Sequence, residues 1–184
     1  MKNIHLFLLP IFLLPLTTSC GELTEFENKQ VQEALSDSLF TTTESWGIDM
    51  EVLENGKLKL KLSGSYAASI KDESRNLTKI SGPVYIEIFD EEGKPDTFVN
   101  ADSAVHKPQD SEFELFGNVR VDAPGGKKLQ SDYLKWERQR DRVSTPEFVI
   151  FISPPDSIAA QGFFGDSDLN NYTLNEGGGR AVIE

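Results

Sequence analysis

Hydrophobic and polar positions change their spacing once along the chain. From Ile4 to Leu16 the sequence is apolar apart from His5, and Pro10 and Pro15 interrupt it. From Gly21 to about Ser45 it is polar and acidic. Within that stretch Val31, Ala34, Leu35, Ser38 and Leu39 recur at helical spacing. A short helix and an unstructured tether fit this composition equally well. From Trp46 onward the spacing is two. Leu58, Leu60 and Leu62 alternate with Lys59 and Lys61; Tyr66, Ala68 and Ile70 follow in phase, and Gly64 marks a bulge or bend. Val84, Ile86 and Ile88 alternate next, and Phe98 to Val105 reads as a strand. Phe113, Leu115, Val119 and Val121 share one phase, and Leu129 to Trp136 follows. Phe148 to Ile152 is apolar on both faces, which predicts a central strand. The last strands are expected at Ile158 to Phe164 and roughly at Leu169 to Leu174.

Turn chemistry separates these runs, at Asp90 to Lys94, Pro108 to Ser111, Pro124 to Gly126, Glu137 to Arg142 and Ser153 to Asp156. At least eight strands at short intervals predict an all-β chain of consecutive hairpins, forming a sandwich, a jelly roll or an open barrel. The β domain is expected over residues 46–174, with a loose, glycine-rich tail over 175–184. Asn100 to Ala104 and Gln130 to Leu134 echo each other in hydropathy, which suggests internal repetition.

The apolar N-terminal run is too short for a spanning helix, which needs about 20 residues. After Met1-Lys2-Asn3 it has the form of a secretory signal over residues 1–19. It ends in Leu16-Thr17-Thr18-Ser19-Cys20-Gly21, which resembles a bacterial lipobox with Leu16 one residue farther back than usual. The chain's single cysteine sits at this place, so Cys20 is the expected lipidation site and residues 20–45 the tether. Two or more acyl chains anchor stably at about 0.8 kcal/mol per buried CH₂. The β domain is then expected in the periplasm, at a membrane surface. The periplasmic face of the inner membrane is favoured, and Gly21 after Cys20, lacking the Asp that marks inner-membrane retention in some bacteria, leaves the outer membrane open.

With 18 Lys and Arg against 30 Asp and Glu, the formal net charge is −12. That balance argues against nucleic acid and against anionic lipid headgroups as partners. One cysteine excludes a disulfide framework or a Cys-rich zinc site within the chain. His106 is the only histidine outside the N-terminal run and is expected to be solvated in a turn. Asp166 and Asp168 lack the oxygen set that calcium requires. Phosphate loops and dinucleotide fingerprints are absent from the sequence. No catalytic residue, metal or cofactor is expected, and an enzyme has no positive support.

Leu115-Phe116-Gly117-Asn118-Val119-Arg120-Val121, the Pro124 to Glu137 stretch, Arg142 to Pro146, and Ile158 to Leu169 together resemble a family. It is the LptC-type periplasmic component of lipopolysaccharide export, within the OstA-like superfamily, and the likeness covers about residues 46–174. The resemblance implies an open, twisted antiparallel β-jelly roll with an apolar groove for the acyl chains of lipopolysaccharide. It also implies receipt of lipid from an inner-membrane ABC transporter and delivery to an LptA-like bridge of like folds through edge-strand pairing. Candidate groove residues are Phe113, Leu115, Val119, Val121, Leu129, Tyr133, Phe148 and Ile150. Leu134 with Trp136 is the alternative to Tyr133 on its strand. Candidate partner-edge residues are Ile158, Gly162, Phe163 and Gly165. A structural or adhesive surface lipoprotein with a closed core is the competing reading, since apolar rows of this kind also fill ordinary interiors. A half-barrel carrier would need a long helix near Phe26 to Phe40.

Overall fold

A computed structural model describes residues 24–30, 41–72 and 74–180. The chain divides into two units, Met1–Asp37 and Ser38–Glu184. In the first, residues 25–30 are helical. Thr24 caps this helix: its hydroxyl accepts from the Glu27 backbone N–H at 3.3 Å, and the Glu27 carboxylate accepts from the Thr24 backbone at 2.9 Å. The expected signal segment, Cys20 and the helical spacing at Val31 to Leu39 lie outside the described residues.

The second unit is one antiparallel sheet. Its strands are β1 (Thr41–Glu54), β2 (Lys57–Lys71), β3 (Asn76–Phe89), β4 (Pro95–Lys107), β5 (Glu112–Ala123), β6 (Lys127–Glu137), β7 (Arg142–Ser153), β8 (Asp156–Gly165), β9 (Tyr172–Leu174) and β10 (Gly178–Arg180). From β1 to β8 each strand pairs with the next, and β9 and β10 both pair with β8. The ladder is open: it starts at β1 and ends beyond β8. This is the open, antiparallel β-jelly-roll architecture expected from the sequence.

Each pair from β2–β3 to β7–β8 carries a register shift near mid-strand: Ser63/Tyr66, Ser81/Val84, Asn100/Ser103, Phe116/Val119, Ser131/Lys135 and Thr145/Phe148. These irregularities form a line across the sheet. A bulge bends its strand and increases its twist, so the sheet folds along that line into two facing halves. One half contributes Leu60, Leu62, Ile86, Val99, Val121, Leu129 and Phe151 to the interior; the other contributes Ile80, Ala104, Phe113, Leu115, Leu134 and Phe163. Phe151 and Phe163 belong to opposite halves, and their rings lie 5.6 Å apart.

The bulges also correct the expected phase on several strands. On β2 the inward series is Leu60, Leu62, then Ala67, while Tyr66 faces outward against Trp46 at 5.6 Å. On β6 the inward series is Leu129, Ser131, Leu134 and Trp136. Strand β1 begins at Thr41, ahead of Trp46, and Gly178–Arg180 of the expected loose tail form β10. Leu169 is in a loop rather than a strand.

Candidate functional site

Charge is kept out of the interior. Glu112 is buried, but it alternates with inward Phe113 and so faces outward. Its carboxylate accepts from Lys107 at 2.8 Å and from Lys135 at 2.6 Å. Burial raises the Glu112 carboxyl, the two ammoniums outweigh it, and the net position is below its ordinary value. Glu112, together with Glu114 at 2.8 Å, holds Lys107 well above the usual lysine range. His106 is half-buried and not in a turn. It lies within β4, stacked on Phe113 at 4.2 Å, and burial lowers its imidazole. Among the described residues no group of His, Cys, Asp and Glu is arranged to hold a metal.

The two halves enclose an apolar cavity of about 20 Å³. Thr97, Val99 and Val121 line it from one half; Leu115, Leu134, Trp136 and Val143 line it from the other. The Thr97 hydroxyl and the Trp136 indole N–H are buried without a protein partner. Polar groups left so in an interior are costly unless a water or ligand satisfies them. Leu169, fully buried, closes the cavity from the loop after β8. Its backbone is left-handed, with φ +56°. The loop is organised by Asp166, whose carboxylate accepts from the Asn170 backbone at 2.7 Å and from the Asn171 backbone at 3.0 Å. Two polar contacts span the mouth between the halves, Arg138 to Glu54 and Lys127 to Asn170.

The expected groove residues divide by face. Phe113, Leu115, Val119, Val121 and Leu129 point inward together. Tyr133 faces outward against Phe116 at 5.3 Å, and Leu134 takes the inward place beside it. Phe148 and Ile150 are also on the outer face, 55% and 37% exposed, while Val149 and Phe151 point inward. The shift arises from the bulge at Thr145/Phe148, which an apolar-on-both-sides sequence conceals. Sequence reasoning missed Thr97, Leu169 and Val149. The first two carry no periodic signal. Val149 was hidden by its apolar neighbours.

The edge residues Ile158, Gly162, Phe163 and Gly165 all lie on β8. Gly162 is at φ +94°, where a side chain would be strained. The outer side of β8 is already paired. Phe163–Gly165 match Tyr172–Leu174, and Ser157–Ala159 match Gly178–Arg180. Between them Gln161 N–H donates to Asn175 O at 3.0 Å, and Asn175 N–H donates to Gly162 O at 3.3 Å. Strand β1 has no partner on its outer side among the described residues.

No curated protein matches the chain. A family model described as LptC, lipopolysaccharide-assembly, LptC-related, matches residues 11–178. The match spans the whole described sheet save its last strand residues. The chain belongs to the LptC family, and with it to the lipopolysaccharide transport machinery of the cell envelope.

Proposed function

We propose that the folded sheet binds the acyl chains of lipopolysaccharide between its two halves and relays the lipid from an inner-membrane ABC transporter to a periplasmic bridge of like folds. The observation that carries this reading is the inner face itself. From β2 to β8 it is lined by apolar side chains, and the nearest buried carboxylate, Glu112, is turned outward and paired. Transferring acyl CH₂ groups onto such a surface is favourable by about 0.8 kcal/mol each, with no buried charge to oppose it. Because the two halves meet only through side chains and mouth contacts, spreading them breaks no strand ladder. Lipid can move through without covalent chemistry, and the energy for directional movement comes from the transporter.

Anchoring through an acylated Cys20 would hold the sheet at the periplasmic face of a membrane. Strand addition at the sheet ends would join it to its neighbours, since an unpaired edge supplies donors and acceptors for another strand. A second reading, a structural lipoprotein with a closed core, is favoured by the small size of the cavity, about 20 Å³.

Intrinsic fluorescence separates the two. Trp46 is 71% exposed and Trp136 7%. In a Trp46→Phe chain the remaining indole lines the cavity, so lipopolysaccharide bound between the halves shifts its emission saturably. An emission that stays constant while the lipid is titrated to saturation of a control binder would rule out the groove and leave the closed core.

A further inference from the structure

One segment, residues 166–180, occupies both parts of the β8 end. Its first part inserts Leu169 into the apolar interior. Its second part runs along β8 and completes the edge. Tyr172 connects the two, with its ring 4.3 Å from Phe151 and 6.0 Å from Phe163, which come from opposite halves of the sheet. The interior and the hydrogen-bonding edge at this end are therefore closed by the same strap.

The strap is held by two three-residue ladders, β9 and β10, joined through the two Asn175 backbone bonds, whereas β7 pairs with β8 from Val143 to Ser153 with one bulge. Gly177, Gly178 and Gly179 supply no large side chain to hold it, and glycine carries the largest entropic cost of ordering. An incoming strand without the break between β9 and β10 would satisfy the same β8 donors and acceptors with one continuous ladder. The opposite edge, β1, has no such cover among the described residues.

We infer that residues 166–180 are a displaceable strap: a strand from a like-folded partner replaces residues 172–180 on β8, and this withdraws Leu169 from the interior. The inference rests on the edge-docking part of the proposed function. It assigns that docking a cost and a consequence. The edge is masked until the partner arrives, and the interior opens at the end where the partner's interior would continue it.

The test compares three forms of the full chain for binding to the purified LptA-like bridge protein. Truncation after Asn171 removes the competing strand. The A160C/G177C pair locks it, since a Cβ on Gly177 would lie 3.5 Å from the Ala160 Cβ, within disulfide range. A masked site weakens binding by the fraction of time it is open, so truncation should tighten binding by about tenfold or more, and the oxidised lock should weaken it similarly and reversibly. In the unlocked chain, Leu169→Cys should react faster with a water-soluble maleimide once the bridge protein is bound. Equal binding by all three forms overturns the strap and leaves docking standing. Binding by none overturns docking at β8 and the strap with it. An unchanged maleimide rate on binding overturns the link to the interior. Because the lock preserves the native pairing, it remains decisive if the truncated chain folds poorly.

Discussion

Gly117 and Asn118 show how single residues set the fold line. Both have left-handed backbone, φ +72° and +47°, at the bulge of β5. A Cβ on Gly117 would lie 2.5 Å from the Asp102 Oδ2 and 3.0 Å from its Cβ, so only glycine fits. Asn118 tolerates the conformation and donates its amide to Asp102 at 2.7 Å. Gly117→Ala should therefore cost about 1–3 kcal/mol in urea unfolding, from strain plus the clash. A change within error would show that the bulge relaxes freely. His106 makes a second residue-scale prediction. Burial lowers its imidazole, so between the folded value and 6.5 the unfolded chain binds more protons than the folded one. Its contribution is fully present above about pH 6.5 and is lost as pH falls toward the folded value. Replacing it by Phe keeps the stacking on Phe113 and should flatten the stability slope just below about pH 6.5. An unchanged slope would assign that titration to other groups. The Gly117-Asn118 pair was legible as a motif, but the role of His106 was not. His106 sits beside Lys107 and Pro108, which read as a turn, and its ring stacking exists only once β4 and β5 pair.

At the scale of elements, the strands and their order were legible because period-two runs and turn residues are local signals. The bulges were only partly so. The segments Asn100 to Ala104 on β4 and Gln130 to Leu134 on β6, similar in hydropathy, both cross the fold line. In each, the inward series changes phase, from Ala101 to Ala104 and from Ser131 to Leu134. What looked like repetition is in physical terms the same bend made twice. On β7 the signal failed, because five apolar residues in a row leave the face undetermined. That strand gives a sharp test. Val149 is fully buried and Ile150 partly exposed. Val149→Asp should lose at least about 3 kcal/mol, by placing an unpaired charge inside, whereas Ile150→Asp should stay within about 1 kcal/mol. Equal losses would mean that β7 has no distinct inner face. Strand β9 falls inside the stretch expected at Leu169 to Leu174, with only its last three residues paired. Strand β10 was not legible, because three residues, two of them glycine, leave no alternation to read.

For the whole molecule, the open ladder matters more than any one residue. A closed barrel would have to break strand pairs to admit a chain, whereas this sheet folds on itself through side-chain contacts. Its surface carries the acidic excess of the sequence, and the buried cluster is apolar. The architecture and the family were readable in advance, because alternation, turns and the Gly117-Asn118 segment are written in the sequence. Which half of each strand faces the other, and what closes the mouth, were not, because they depend on pairs distant in sequence such as Glu54 with Arg138 and Lys127 with Asn170. A lipid relay requires lipid to occupy the space between the halves. Photo-crosslinking in cells from Val121, which is buried on the inner face, and from its exposed neighbour Arg120 tests this. Lipopolysaccharide trapped at Val121 and not at Arg120 is the result the lipid relay requires. Lipid at neither position, with both chains folded and expressed, would contradict it and leave a closed-core lipoprotein.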